Sequence, residues 1–189
     1  IPVLAFCEDV AASGGYWLAA SADEIIANPA SVIGSVGVVS AGFGFDKAIA
    51  KLGVERRGYT AGEAKMTLDP FQPERDEEVA RLRALQADIH QQFISHVEAR
   101  RGSRLNGEHE DLFSGAFWTG RRAVELGLVD SLGECRQTIL KRFGDDTEVM
   151  FIEPKRNFLA FGLPGMRGQL VQETADFAIE RAYFSRFGL

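Results

Sequence analysis

The chain has 189 residues, of which 46% are hydrophobic and 25% are charged, so we expect one domain with a sizeable core. A net charge of −6 and an isoelectric point near 5.2 leave no broad basic surface, which argues against a nucleic-acid partner. No apolar run approaches the roughly 20 residues of a membrane-spanning helix. Cys7 and Cys135 have no metal-ligand spacing, so we expect no metal site.

The first part of the chain predicts short strands separated by turns and one helix. The apolar run 3–7 is typical of a buried parallel strand. Residues 13–22 predict a turn that leads into a short helix, and residues 24–29 predict a second strand that ends at Asn28-Pro29. The β-branched, glycine-punctuated run 31–45 predicts a further strand.

The rest of the chain predicts helices that alternate with short strands. Asp46 is the expected N-cap of the first of these helices, and apolar residues recur at helical spacing along the second. The predicted helices span 46–52, 73–101, 119–127, 133–143 and 174–184. The predicted strands span 128–133 and 148–154. This alternation indicates an α/β fold with a mostly parallel sheet flanked by helices.

Ser13 precedes two glycines between a strand-like and a helix-like run. Ordinary packing needs no hydroxyl there, whereas a nucleophile on a tight turn needs both the hydroxyl and the glycines. A serine reacts well only when a base removes its proton. The three histidines, His90, His96 and His109, all lie far along the chain, so lysine is the second candidate base.

Lys65 differs in context from the other lysines. It is the only cation in GYTAGEAKMTLDPFQP, a run of mostly small and apolar residues, whereas the others resemble ordinary surface lysines. A lysine acts as a base when burial lowers its pKa from about 10.4 toward roughly 7–8. This segment alone favours an exposed loop lysine, so the candidate base depends on its wider context.

Three segments together resemble the successive signatures of the SppA-type signal peptide peptidases. These segments are AASGGYWLAASADEIIANPASVIGSVGVV, GEAKMTLDPF and FWTGRRAVELGLVDSLG. They occur in the family's order and spacing. The resemblance implies a ClpP/crotonase-like fold and a serine endopeptidase with a Ser-Lys dyad. It also implies hydrophobic peptide substrates, such as cleaved signal peptides, and no cofactor.

The resemblance assigns roles to individual residues. Ser13 corresponds to the nucleophile and Lys65 to the general base. Ser35 corresponds to a hydroxyl that orients the lysine amine, and the Gly14 N–H corresponds to one oxyanion donor. The physical logic agrees, because N–H groups at a helix start favour developing negative charge.

A second set of expectations concerns the substrate and the assembly. Gly37, Val38 and Val39 match the family's substrate-side strand, which would bind an extended peptide by strand addition. In the family, the serine and lysine of one site come from adjacent protomers or tandem domains. The resemblance therefore implies a homo-oligomer with shared active sites.

The domain boundaries follow from the same resemblance. We expect a peptidase domain over 1–160 and a tail with a linker and a short helix over 161–189. Because the sequence begins within the strand-like stretch IPVLAFCED, we expect the N-terminal part of the fold upstream of Ile1. The resemblance implies that a second oxyanion donor lies in that upstream part. The protein is expected at the bacterial inner membrane if its full length carries an anchor. Otherwise the compartment, cytoplasm or periplasm, stays open.

Three rival functions remain open at this point. A ClpP-like Ser-His-Asp peptidase needs a histidine close behind the nucleophile, and none occurs before His90. A crotonase-type acyl-CoA enzyme would share the fold but use oxyanion N–H groups and carboxylates. A catalytically silent scaffold of the same fold is disfavoured by the coexistence of Ser13, Ser35 and Lys65.

Overall fold

The computed structural model describes residues 1–62 and 64–152, and within them six short strands form two three-stranded sheets. The strands are β1 (Leu4–Cys7), β2 (Val10–Ala12), β3 (Glu24–Ala27), β4 (Val32–Gly34), β5 (Phe117–Thr119) and β6 (Ser131–Leu132). The helices are α1 (Gly14–Ala20), α2 (Asp46–Lys51), α3 (Asp76–Arg101), α4 (His109–Leu112), α5 (Gly120–Glu125) and α6 (Cys135–Phe143). A 3-10 turn, Gly102–Arg104, follows α3.

Both sheets contain parallel pairs made by crossover connections. One sheet has the order β1-β3-β6 and is parallel throughout. The other has the order β2-β4-β5, with β2 and β4 parallel and β4 and β5 antiparallel. Parallel neighbours need a connection that returns the chain to the same end of the sheet, and α1 lies within the β1 to β3 connection. The α/β class with mostly parallel pairing and flanking helices is confirmed.

The core lies between the two sheets, α1 and the second half of α3. Tyr16 of α1 is fully buried, and its hydroxyl donates to the Leu128 carbonyl oxygen at 2.8 Å. A buried phenol without such an acceptor would lose a hydrogen bond that it makes in water. Aliphatic side chains from the strands fill the remaining space, among them Ile25, Ile33 and Val36.

The long helix α3 packs on this core through its second half only. Phe93, Ile94 and Val97 are buried, whereas Leu85 is 55% exposed although it lies on the same apolar stripe. The predicted amphipathic helix over 73–101 is confirmed, with its start at Asp76. Three acidic residues in the first turn suit the positive end of the helix dipole.

A buried ion pair fastens the end of α3 to both β3 and β6. Arg101 is 2% exposed, and its guanidinium donates to both carboxylate oxygens of Asp130 at 2.8 and 3.0 Å. Arg101 also donates to the Gly127 carbonyl, and Asp130 accepts from the Ile25 N–H at 2.7 Å. All the strong hydrogen-bonding groups of this buried pair are thereby engaged, which a buried charge requires.

Several predicted elements differ from the structure. The run 31–45 forms a strand only over β4, because the ladder ends where Gly34 and Ser35 adopt φ values of 104° and 53°. Asp46 lies in the first turn of α2, and the N-cap is Phe45. The described part of the predicted strand 148–154 forms no strand. The predicted tail helix 174–184 and the boundary at 160 lie outside the described residues, so both stay predictions.

Candidate active site

Ser13 occupies a sharp turn between β2 and α1. Its φ of 51° and ψ of −122° lie in a region that residues other than glycine rarely adopt. Two backbone hydrogen bonds hold it there, since its N–H donates to the Gly34 carbonyl at 2.8 Å and its carbonyl accepts from Trp17 N–H at 3.0 Å. A serine on a strained strand-to-helix turn is the arrangement by which hydrolases expose a nucleophile.

The glycines after Ser13 leave the approach to its hydroxyl open. A Cβ added to Gly14 or Gly15 would meet no atom within 4 Å. The N–H groups in the first turn of a helix have no partner within the helix. Within the described part of the chain, the Gly14 N–H donates to no acceptor. It is therefore free to donate to a developing oxyanion, as an oxyanion hole requires.

Ser35 lies beside Ser13 at the same edge of the sheet. Strands β2 and β4 are parallel and in register, with Ala12 opposite Gly34, so the two serines directly follow paired residues. Neighbouring strands lie about 4.8 Å apart. The Ser35 N–H donates to the Ala116 carbonyl at 2.7 Å, which fixes its backbone. The structure thus places two of the predicted site residues side by side at the ends of neighbouring strands.

Lys65 lies on an exposed turn, residues 64–68. Among residues 1–62 and 64–152, its amine makes no hydrogen bond or ion pair. The turn is bound to α3, because the Leu68 N–H donates to Glu78 Oε2 at 2.9 Å. Beside it, Arg56 donates to the Asp69 carboxylate at 3.0 Å. The described residues of the chain therefore bring no partner to the Lys65 amine.

The predicted substrate-side residues do not form a strand in the single chain. Gly37 packs tightly on Gly115, because an added Cβ would lie 3.0 Å from the Gly115 Cα. Val38 is 36% exposed and Val39 is 74% exposed. The three residues lie in an open segment directly after Ser35, and their backbone carries no strand partner among the described residues.

Two depressions lie near the predicted site residues. A cavity of about 570 Å³ lies between residues 40–46, residues 66–74 and the start of α3, and Met66 beside Lys65 contributes to its wall. A groove of about 390 Å³ runs along β1, β2 and α1 and includes Gly15. Neither is lined by Ser13 or Ser35 itself. The larger one belongs to the surroundings of the lysine and the smaller one to those of the serine.

None of the three histidines, all of which the structure describes, is hydrogen-bonded to Ser13. His90 Nε2 lies 2.9 Å from the Phe113 carbonyl and 3.1 Å from the Val36 carbonyl. His96 Nε2 lies 3.2 Å from the Trp17 carbonyl, and its ring stacks on Trp17. His109 packs edge-on against Phe113. The histidines join α3 and α4 to the rest of the unit, which weakens the Ser-His-Asp alternative.

Two residues that sequence reasoning missed now stand out. His90 links α3 to the backbone that follows Ser35, and Glu78 links α3 to the turn that carries Lys65. Glu78 precedes Leu82 and Leu85 at helical spacing, so a carboxylate stands on the apolar stripe. That mismatch is the signal by which Glu78 could have been found. Nothing in the sequence marks the His90 contact.

Comparison with known families identifies the family of the chain. Residues 1–147 match the family model described as peptidase family S49. The chain belongs to peptidase family S49. The signatures around Ser13, Lys65 and residues 117–133 all fall within the matched range.

Individual relatives agree with this S49 membership. A putative signal peptide peptidase SppA from Enterococcus faecium is 31% identical over 85% of this chain and 47% of that protein. Protease 4 from Haemophilus influenzae is 33% identical over 74% of this chain and 22% of that protein. The chain therefore spans less than half the length of each of these relatives.

A more similar relative carries a different name. A protein of Brucella abortus named Na(+)/H(+) antiporter NhaA is 49% identical over 99% of this chain and 27% of that protein. The aligned part therefore includes the stretch that matches the S49 model. In residues 1–62 and 64–152, no helix has the length and apolar character needed to cross a membrane.

Proposed function

We propose that this S49 chain is a serine endopeptidase in which Ser13 is the nucleophile and Lys65 is the general base. The observation that carries the proposal is the strained turn at Ser13, with the Gly14 N–H free and Ser35 on the next strand. Holding a serine at positive φ costs about 1–3 kcal/mol, a cost that recurs at functional sites. A scaffold without catalysis has no use for it. The parallel sheet and flanking helices support a ClpP/crotonase-like fold.

The proposed reaction is acyl transfer through Ser13. The neutral Lys65 amine takes the Ser13 hydroxyl proton while Oγ attacks the scissile carbonyl carbon. The oxyanion accepts a hydrogen bond from the Gly14 N–H. The lysine ammonium then protonates the leaving amine as the C–N bond breaks, which leaves an acyl-enzyme. The same amine then takes a proton from water, whose oxygen attacks the ester carbon. The lysine ammonium returns this proton to Ser13 Oγ as the bond between Oγ and the acyl carbon breaks, which releases the acid product. Ser35 accepts from the lysine and orients it.

We propose that Lys65 serves Ser13 of another copy of the chain. A lysine amine is neutral near pH 7 only in an enclosed, apolar site, and Lys65 is exposed in the single chain. In addition, α3 contacts the lysine turn through Glu78 and the serine helix through His96. At about 1.5 Å per residue these contacts lie roughly 27 Å apart along the helix.

The surface around Lys65 is suited to being covered by a second copy. Residues 37–75, here called the lysine segment, expose many large apolar side chains. These are Val38, Val39, Phe43, Phe45, Leu52, Val54, Tyr59 and Phe71. Exposed apolar groups at this density are typical of an interaction surface.

The proposed substrates are hydrophobic peptides. The lining of the cavity next to Lys65 includes the apolar side chains of Phe43, Met66 and Leu82 beside several polar ones. The open backbone at residues 37–39 offers hydrogen-bonding groups to an extended peptide. Apolar pockets beside such a backbone favour apolar side chains in the substrate.

The test combines covalent labelling with two variants of the protein expressed from its complete open reading frame. A fluorophosphonate probe is expected to modify Ser13, as mass spectrometry of the labelled peptide would show. Ser13→Ala and Lys65→Ala are each expected to lower turnover of an apolar peptide by about 10³-fold or more, with an unchanged melting temperature. Lys141→Ala, a variant of an exposed lysine on α6 outside the lysine segment, is expected to keep full activity.

The same experiment separates the rival functions. A Lys65→Ala protein with near wild-type turnover would contradict the dyad. Binding of acyl-CoA without Ser13 labelling would favour the crotonase-type enzyme. Folded, assembled protein without labelling or turnover of any apolar peptide would favour the scaffold.

A further inference from the structure

The turn that carries Lys65 is attached to α3 by one buried carboxylate. Glu78 is 7% exposed and lies in the first turn of α3. Its Oε2 accepts a hydrogen bond from the Leu68 N–H at 2.9 Å, and its Oε1 contacts the Arg75 guanidinium. Leu68 closes the same turn, residues 64–68, three residues after Lys65. The carboxylate therefore contacts the backbone of the turn but not Lys65.

The backbone at the attachment point is strained. Leu68 has a φ of 56°, in the left-handed region that a bulky side chain rarely adopts. Such a conformation persists only where its surroundings hold it. Within residues 64–68, the other hydrogen bonds are local: Thr67 Oγ1 donates to the Ala64 carbonyl, and the Lys65 N–H donates to the Gly62 carbonyl. The Glu78 carboxylate supplies the one described hydrogen bond from this turn to a helix.

Packing alone does not explain a carboxylate at position 78. Glu78 shares the apolar stripe of α3 with Leu82 and borders the cavity beside the turn. Burial of a charge is costly, and a hydrophobic side chain of similar size is often at least as favourable for stability. The carboxylate at this position suits the helix start and pairs with the Arg75 guanidinium through Oε1, while its other oxygen is engaged by the Leu68 N–H.

We propose that Glu78 is a positioning residue for the general base. Its hydrogen bond to the Leu68 N–H fixes the turn and thereby the direction in which the Lys65 side chain leaves it. This inference rests on the proposed function, because it assumes that Lys65 takes the proton from a serine. Displacement of a catalytic group by about 1 Å lowers a rate by roughly 100-fold, so the anchor affects turnover more than substrate binding.

The test compares two substitutions that preserve the volume of the side chain. Glu78→Gln keeps an oxygen that accepts from the Leu68 N–H, whereas Glu78→Met has no acceptor and suits the apolar stripe. Glu77→Gln, on the exposed neighbouring position of the same turn, is the matched control. Each protein, expressed from its complete open reading frame, is assayed for kcat, KM and melting temperature.

We expect Glu78→Met to lower kcat about 10- to 100-fold with KM within about 2-fold. Glu78→Gln is expected to retain kcat within about 5-fold, and Glu77→Gln within about 2-fold. Melting temperatures of Glu78→Met and Glu78→Gln are expected to be similar.

Two results would overturn the inference: wild-type kcat in Glu78→Met, or an equal loss in Glu78→Gln and Glu78→Met. Lys65→Ala, measured in parallel, separates this failure from that of the proposed function. An active Lys65→Ala protein contradicts the dyad itself. An inactive Lys65→Ala protein with an unaffected Glu78→Met protein contradicts the positioning role alone.

Discussion

The region around Ser13 and the region around Lys65 are built very differently. Ser13 is strained, but its backbone is hydrogen-bonded at both its N–H and its carbonyl, and the helix after it is anchored in the core by the buried Tyr16. The lysine segment contains one short helix, α2, in which no residue is buried. Its aromatic rings pack mainly on one another, as Phe45 does on Phe71. The described residues hold the serine turn on both sides but leave the lysine exposed.

Under the proposed dyad, one fold carries the nucleophile and the base but does not activate them together. The serine turn needs rigidity, which the parallel strands and α1 supply. The lysine needs an enclosed site to become neutral, and an exposed segment provides one only upon contact with another surface. The proposed dependence on assembly follows from this contrast.

The largest effect on stability is expected from breaking the buried ion pair between Arg101 and Asp130. Asp130→Asn leaves the buried Arg101 guanidinium without its counter-charge, which we expect to destabilise the protein by about 3 kcal/mol. The matched control is Glu24→Gln, which breaks the more exposed pair with Arg142 and should cost less than about 1 kcal/mol. Urea unfolding measures both. An equal loss of stability in the two variants would show that the buried pair stabilises the fold no more than the exposed pair does.

The same carboxylate predicts a dependence of stability on pH. Burial alone raises the pKa of Asp130, but hydrogen bonds from Arg101 and from the Ile25 N–H outweigh it and leave the pKa below 3.8. A lowered pKa stabilises the fold above the unfolded-state value, and this contribution is lost as the pH falls through the folded-state value. Below about pH 4 the wild-type protein should therefore lose more stability than Asp130→Asn. Identical losses would contradict the assignment.

A smaller effect is expected at the junction between α3 and the Ser35 backbone. His90→Ala removes the donor that faces the Val36 and Phe113 carbonyls, which should cost about 1–2 kcal/mol. Turnover should fall as well, because Ser35 directly precedes Val36. His109→Ala, at an exposed histidine, is the control. Indistinguishable stability and turnover in the two variants would show that His90 does not position the site.

The smallest effect tests the strain at the nucleophile. Ser13→Gly and Ser13→Ala both remove the hydroxyl, and both are expected to be inactive. Glycine adopts the φ of 51° without steric cost, so Ser13→Gly should be about 1 kcal/mol more stable than Ser13→Ala. At a negative φ, alanine is unstrained and Ser13→Ala would be the more stable of the two variants. Thermal unfolding measures the difference in stability between the two variants, and the sign of that difference decides whether the Ser13 turn is strained.

Local patterns predicted the serine region well. The Ser-Gly-Gly sequence between two apolar runs predicted the turn, and Asn28-Pro29 predicted the end of β3. Both depend on the conformational limits of a few neighbouring residues. The placement of Ser35 beside Ser13 depends on the pairing of β2 with β4, and its role was predicted only from the resemblance to a family.

The lysine region was predicted less well because its features depend on distant contacts. The apolar run 31–45 predicted a strand, yet it forms one only over β4, where β2 and β5 are available as partners. The anchoring of the Lys65 turn by Glu78 joins that turn to helix α3 through one hydrogen bond. Neither periodicity nor composition records such a contact. The predicted burial of Lys65 concerns an assembled protein and stays a prediction.

Subunit mixing tests the central claim most directly. Ser13→Ala and Lys65→Ala chains, each expressed from the complete open reading frame, are co-assembled in equal amounts and assayed on an apolar peptide. In a parallel mixture, wild-type chains are combined with the Ser13→Ala/Lys65→Ala double variant. Mass spectrometry of the intact assemblies verifies that chains of each mixture have assembled together.

Sites shared between chains predict about one quarter of wild-type activity in both mixtures, since random assembly pairs an intact serine with an intact lysine in a quarter of the sites. Sites confined to one chain predict no activity in the first mixture and about half in the second. The first pattern would support a base supplied by a neighbouring copy. The second would contradict it.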